Sequence, residues 1–176
     1  MSKEGLRTAM RERLNLCRPG EFRSQGQKAA ALLSASSIWE QYQRVSVFLS
    51  MKKEIHTQYI LEASRKAGKK VLVPEVQGDT MIFTPLNPED GEDTGAEPLL
   101  LICPGLAFDL QGGRLGRGRG YYDRYLSSLS LTGRPYLALG LCMDFQLADS
   151  IPMEEHDIPM GALLTGTGLY LGLGVK

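Results

Sequence analysis

The chain has 176 residues, of which 43% are hydrophobic, which suits one domain with one core and excludes disorder throughout. Twenty Lys and Arg balance twenty Asp and Glu, which excludes a dedicated nucleic-acid binder but allows a local basic patch. Cys17, Cys103 and Cys142 are far apart and form no C-x-x-C pair, so they read as reduced thiols rather than as a disulfide framework or zinc site. In chain order, Leu6, Met10 and Leu14 recur every four residues beside a parallel row of Lys3, Arg7 and Arg11, which predicts an amphipathic helix over residues 3–17. Pro19-Gly20 breaks it, and a second helix is expected from about Glu21 to Leu33. "RVSVFLS", ending at Ser50, reads as a buried strand, and "TQYILEASRKAG" as a helix with Thr57 at its N-cap and Gly68 as its stop.

"KVLVP" (70–74) and "TMIFTPL" (80–86) are further strands, and the acidic, turn-rich residues 87–98 form a surface loop. "LLLIC" (99–103) is a strand ending at Pro104-Gly105. A glycine-rich loop follows, then a helix opening near Tyr121 and two more strands, "YLALGLC" (136–142) and "GALLT" (161–165). Strands alternating with helices predict an α/β fold. We expect a single domain over residues 1–176, a largely parallel sheet with helices on both faces, in the manner of a Rossmann-like three-layer fold. The loops after Ser50, Cys103 and Cys142 should converge, because such sheets bind ligands outside the carboxyl ends of their strands. The charged start has no apolar signal segment, and no apolar run is long enough to span a bilayer. The expected location is cytoplasmic, away from the membrane.

The stretch with the most chemistry is "GGRLGRGRGYYDRYL" (112–126), with five glycines and four arginines. It is not a Walker loop, since no Gly-Lys-Ser/Thr occurs, and as a G-x-G-x-x-G motif its last glycine would fall on Tyr121. Its physics still suits phosphate. Gly113, Gly116, Gly118 and Gly120 let backbone N–H groups approach a ligand closely. Arg114, Arg117 and Arg119 offer paired donors to phosphate oxygens, and the helix near Tyr121 adds its N-terminal dipole. Asp123 belongs in such a site if Mg²⁺ stands between it and the phosphates. The competing reading is an Arg/Gly-rich flexible segment that binds RNA through charge and tyrosine stacking, but this stretch lies between a buried strand and a helix.

"PGLAFDLQGGRLGRGRGYYDRYL" (104–126) resembles the signature of the 5-formyltetrahydrofolate cyclo-ligase family, also called methenyltetrahydrofolate synthetases. "KEGLRTAMRERL", "VFLSMKKEIHT", "KKVLVPEV" and "ALGLCMDFQLADSIPMEEHDIP" resemble further blocks in the family's order. The resemblance implies an α/β fold, ATP as co-substrate, Mg²⁺, and conversion of 5-formyltetrahydrofolate to 5,10-methenyltetrahydrofolate. It implies that Lys3, Arg7 and the run Arg114, Leu115, Gly116, Arg117, Gly118, Arg119, Gly120, Tyr121 and Tyr122 bind ATP. Leu49, Glu54, Arg117, Gly118, Gly120 and Tyr121 would bind the folate. Arg117, Arg119 and Tyr122 would be catalytic, and Asp123 and Asp157 would hold the metal. From pattern alone, Lys3 and Arg7 read as a solvated helix face, Glu54 as a surface acid and Asp157 as an exposed turn acid.

The implied partners are the folate and ATP, with no nucleic acid, acting on a monomer. The mechanism implied is phosphoryl transfer to the oxygen of the N5-formyl amide, followed by attack of N10 and loss of phosphate. His56 and His156 read as loop residues, since no protein nucleophile is required. Three features depart from the family pattern. The 87–98 connection is short, which predicts a missing wall of the folate pocket and weaker folate than ATP recognition. Gly161 stands where an acid is common, and the ending "GTGLYLGLGVK" matches no functional block. The alternative function is a catalytically impaired isoform or a non-catalytic nucleotide- or RNA-binding domain that keeps the fold.

Overall fold

A computed structural model describes residues 2–174. Its sheet is built around Leu99–Cys103, whose five residues are each 0% exposed. Side chains alternate across a strand, so an all-apolar run must be covered on both faces. Leu100 and Ile102 pack into one core cluster, and Leu99, Leu101 and Cys103 into the other. Truncating one such leucine to alanine removes about 2–5 kcal/mol of stability.

The strands are β1 (Arg44–Val47), β2 (Lys70–Gln77), β3 (Thr80–Pro85), β4 (Leu99–Cys103), β5 (Ala107–Phe108), β6 (Arg114–Leu115), β7 (Tyr136–Leu141), β8 (Ala162–Leu164) and β9 (Leu169–Leu171). The main sheet runs in the order β3-β2-β1-β4-β7-β8-β9, and β5 and β6 pair separately as a small hairpin. The five inner strands are parallel, while β3 and β9 are antiparallel edges. The helices are α1 (Lys3–Leu16), α2 (Pro19–Ser34), α3 (Ser37–Gln41), α4 (Gln58–Lys66) and α5 (Tyr121–Leu131). Residues of α1 to α4 join the first core cluster, and Leu126 and Leu129 of α5 join the second. The expected three-layer α/β arrangement is therefore present, with four helices on one face and one on the other.

Chain order explains where a ligand can bind. From β1 the chain crosses through α4 to β2 on one side, and from β4 it crosses through α5 to β7 on the other. β1 and β4 are neighbours, so their following loops part and leave a crevice at the carboxyl end of the sheet.

Several boundaries differ from expectation. β1 stops at Val47 because the chain turns, with the Thr57 hydroxyl donating to the Phe48 carbonyl and accepting from the Ser50 amide. Thr57 holds the N-cap position of α4, but its hydroxyl is used in that turn rather than as a cap. Pro19 starts α2 instead of merely breaking the chain, since a proline at the first helical position gives up an amide that has no partner there anyway. The glycine-rich ending forms β9, and the Leu173 amide donates to the Gly161 carbonyl. A side chain at Gly161 would sit 2.8 Å from Leu137 Cδ1, so that leucine would have to shift to admit one.

Residues 87–98 form a surface loop as expected, and its contacts show which end of the sheet it covers. Arg44, the first residue of β1, donates through Nε to Asp93 Oδ1 at 2.6 Å and through Nη1 to the Glu97 carbonyl at 3.2 Å. Lys70 Nζ, at the start of β2, donates to the Glu92 carbonyl at 2.8 Å. The segment thus seals the amino ends of the strands, opposite the crevice, and supplies no wall to the clefts described below. Among the described residues, no helix is long and apolar enough to cross a membrane.

Candidate active site

The crevice opens into a cleft of about 600 Å³. One wall comes from the chain after β1 (Phe48, Leu49, Met51), another from Pro74, Val76 and Met81 of the β2–β3 hairpin. Pro104 and Gly105, which follow β4, lie at its base, and the glycine-rich loop with Tyr121, Tyr122 and Asp123 closes the far side. Leu49, Met51 and Val76 are each more than half exposed. Apolar side chains left bare on a concave wall are what a flat organic ligand needs. Leu49 lines this cleft, whereas the hairpin wall was not anticipated, because "KVLVPEV" and "TMIFTPL" carry no chemical signature.

A second cleft, of about 610 Å³, lies on the other side of the same loop. Gly118, Arg119, Gly120, Asp123 and Arg124 line it with Ser127, Ser128, Glu155 and His156, and Leu131 and Ile158 add apolar surface. Arg119, Gly120 and Asp123 face both clefts. Backbone geometry produces this partition. Gly118 and Gly120 have φ of +103° and +66°, which side-chain-bearing residues rarely adopt, and Gly120 is the N-cap of α5. With glycine there, no side chain caps the helix, so its leading N–H groups remain for a ligand.

Charge is organised in three ion pairs around the loop. Arg117 donates to Glu54 Oε1 from Nε at 3.2 Å and Nη2 at 2.8 Å, while Glu54 Oε2 accepts from the Met51 amide at 2.9 Å. Arg114 Nη2 donates to Asp123 Oδ1 at 2.7 Å and its Nη1 to the Pro104 carbonyl at 3.3 Å. Lys3 Nζ donates to Asp157 Oδ2 at 2.6 Å and lies 3.1 Å from Glu154. Burial alone would push the Asp157 carboxyl up, but Lys3 and the Glu154 amide together hold it below the usual value. Arg7 Nε donates to the Gly116 carbonyl at 3.1 Å, so Lys3 and Arg7 are docking residues rather than a solvated face.

Three of the expected residues are largely withdrawn from solvent. Leu115 is 1% exposed within β6, and its carbonyl accepts from the Leu106 amide, so its side chain is core. Arg114 is buried and committed to Asp123, with Nε lacking a partner among the described residues. Tyr122 points inward beside Arg114, whose guanidinium carbon lies 5.6 Å from the ring centroid. Its hydroxyl is buried without a hydrogen bond, and burial, then the neighbouring Cys103, push the phenol well above its ordinary value.

The acids allow a magnesium ion without forming a cage. Among the described residues no three His, Cys, Asp or Glu side chains are placed to hold a metal ion by themselves, and Asp123 and Asp157 sit in separate ion pairs. In each, one carboxylate oxygen carries the hydrogen bonds and the other accepts none among the described residues, although His156 Nε2 lies 3.8 Å from Asp157 Oδ1. Mg²⁺ ordinarily takes one or two carboxylates together with phosphates and water, so this donor set fits.

Fold and site together define an α/β protein that presents a cationic, glycine-built loop between two clefts at the switch point of a parallel sheet. The chain belongs to the 5-formyltetrahydrofolate cyclo-ligase family, whose model matches residues 1–166. It is 31% identical to the 5-formyltetrahydrofolate cyclo-ligase of Mus musculus, over 93% of each chain. It is equally 31% identical to that of Escherichia coli K12, over 92% of this chain and 98% of the relative. The NMR structure of Aquifex aeolicus 5,10-methenyltetrahydrofolate synthetase superposes with a TM-score of 0.77 at 25% identity, covering 100% of this chain and 95% of that one. The Mycoplasma pneumoniae 5,10-methenyltetrahydrofolate synthetase shares the fold with a TM-score of 0.75 at 22% identity, over 94% and 99% of the two chains.

Proposed function

We propose that this chain is an ATP- and Mg²⁺-dependent ligase that closes 5-formyltetrahydrofolate to 5,10-methenyltetrahydrofolate, releasing ADP and phosphate. The observation that carries this reading is the single loop shared by two clefts, one walled mainly by apolar side chains and one lined mainly by charged and polar residues. The reaction needs an acceptor and a phosphoryl donor to meet at one point. Under this reading the folate occupies the apolar cleft, with its ring system against Leu49, Met51 and Val76 and its N–H groups toward Glu54. ATP approaches from the polar cleft, its phosphates on the loop.

In the first step, the N5-formyl oxygen attacks the γ-phosphorus of ATP and the bond to ADP breaks. In the second, N10 attacks the formyl carbon, loses its proton, and the carbon–oxygen bond to phosphate breaks. Arg117 and Arg119 neutralise charge on the transferring group, and the uncapped N–H groups of α5 add a fixed dipole. Lys3 and Arg7 hold the helix against the loop and bring further positive charge to the phosphates. Asp123 and Asp157 would hold Mg²⁺, which supplies charge neutralisation on the polyphosphate. We read residues 1–176 as one monomeric, cytoplasmic domain that does not act on nucleic acid. The test is incubation with 5-formyltetrahydrofolate, ATP and Mg²⁺ while following the methenyl chromophore. Absorbance should rise only with all three present, and a rise unaffected by chelating the metal would contradict the reading.

A further inference from the structure

Arg124 lies one residue beyond Asp123 and makes no ion pair among the described residues. Instead its guanidinium joins two backbone carbonyls from different elements. Nη2 donates to the Asp79 carbonyl at 3.0 Å, and Nη1 donates to the Arg119 carbonyl at 2.9 Å. The guanidinium carbon stands 5.2 Å from the centroid of the Tyr121 ring, and the Tyr121 hydroxyl donates to the Gly78 carbonyl at 3.3 Å. Gly78 and Asp79 are the two-residue turn of the β2–β3 hairpin, with Gly78 at φ +60°. Among the described residues no other side chain from outside the hairpin hydrogen-bonds to residues 77–80.

We propose that Arg124 is a positioning residue that clamps the hairpin tip to the glycine-rich loop and so fixes the width of the apolar cleft. The proposal rests on the reading of that cleft as the folate site. The hairpin brings Val76 and Met81 to one wall, and the loop brings Arg119 and Gly120 to the other. Only a planar guanidinium offers two diverging donors from one rigid group, and its face can also lie over an aromatic ring. A lysine keeps the charge but reaches one carbonyl at a time. The base of the hairpin is held independently, by Phe83 packed on Tyr125 with centroids 4.5 Å apart. Loss of Arg124 therefore frees the tip without unfolding the strand pair.

The test compares wild type, Arg124→Ala and Arg124→Lys in two measurements. Amide hydrogen exchange across residues 76–82 of the ligand-free protein reads the clamp directly. Steady-state kinetics read KM for 5-formyltetrahydrofolate and for ATP. Both variants should exchange faster in that segment and raise the folate KM about three- to tenfold, the scale of one or two lost hydrogen bonds. Arg124 also borders the polar cleft, so in Arg124→Lys the ATP KM should move less than the folate KM. Unchanged exchange, an unchanged folate KM in Arg124→Ala, or full rescue by lysine would each overturn the proposal. A wild-type protein that does not turn over the folate would sink the reading of the cleft, and the exchange data would still decide whether the clamp exists.

Discussion

Arg117 Nη2 lies 2.8 Å from Glu54 Oε1, and this one ion pair connects the segment after β1 to the glycine-rich loop. The two partners are not alike, since the Arg117 side chain is 42% exposed and that of Glu54 is 9% exposed. Arg117 can swing out, whereas Glu54 is fixed by the Met51 amide. While Arg117 holds it, Glu54 Oε1 is a poor acceptor for a ligand N–H group. Phosphates on the loop compete for the same guanidinium.

The two substrates should therefore bind with positive coupling. A non-hydrolysable ATP analogue is expected to tighten 5-formyltetrahydrofolate binding by about fivefold or more, the lower end of ordinary coupling energies. Calorimetry with and without the analogue measures it. Arg117→Ala should abolish the difference, and equal affinities in the wild type would show that the pair does not gate the site.

Asp109 is expected to matter for stability. Its carboxylate is 3% exposed, pairs with no cation, and accepts from the amides of Gln111 at 2.9 Å, Gly113 at 2.7 Å and Ile151 at 2.6 Å. It thereby ties the β5–β6 hairpin to the segment leading to Asp157. Asp109→Ala leaves those donors without partners, at about 1–3 kcal/mol for each buried one. Urea unfolding should show a loss of about 3 kcal/mol or more, with Asp109→Asn in between; a loss under about 1 kcal/mol would mean water replaces the carboxylate.

Acid should loosen both ends of the molecule. Burial works against the Asp93 and Asp157 carboxylates, but Arg44 and Lys3 outweigh it and keep both groups below their usual range. The folded protein therefore holds these protons less tightly than the unfolded chain. The stabilisation is complete above the ordinary carboxyl value of about 3.8 and is lost as pH falls through the depressed folded values. Thermal unfolding between pH 7 and pH 2 should show this loss, and Asp93→Asn should flatten the acid limb. Parallel acid limbs in the two proteins would rule out Asp93 as a source.

Asp123→Asn keeps the shape of the side chain but removes its charge from the face between the clefts. We expect at least about a tenfold fall in kcat/KM, or roughly 1.4 kcal/mol of transition-state stabilisation, and a higher Mg²⁺ requirement. Because Arg114 is buried against this acid, some stability should be lost as well. A variant that is destabilised yet needs no more Mg²⁺ would leave Asp123 only as the partner of Arg114.

The sheet was legible where the sequence is unambiguous. "LLLIC" is apolar at every position, which only a strand covered on both faces requires, and the glycine and arginine loop after it carries its own chemistry. Short elements held by tertiary contacts were not legible. α3 has five residues and depends on the Ser36 cap, and β5 and β6 have two residues each and exist because they pair. The placement of residues 87–98 was not legible for a physical reason. Composition marks a segment as a surface loop but cannot tell which end of a sheet it covers, and Arg44 decides that through Asp93. Tyr122 shows the same limit, since a motif gives residue order while burial decides where a hydroxyl points.

The central claim is that the loop brings the formyl oxygen to the terminal phosphate of ATP. The most direct measurement uses 5-formyltetrahydrofolate labelled with ¹⁸O in the formyl group, followed by mass analysis of the released phosphate after complete turnover. Transfer through the formyl oxygen requires the carbon–oxygen bond to break in ring closure, so each phosphate should carry one ¹⁸O atom. Unlabelled phosphate, with the label released to water, would show that ATP hydrolysis and ring closure are separate events and would contradict the mechanism.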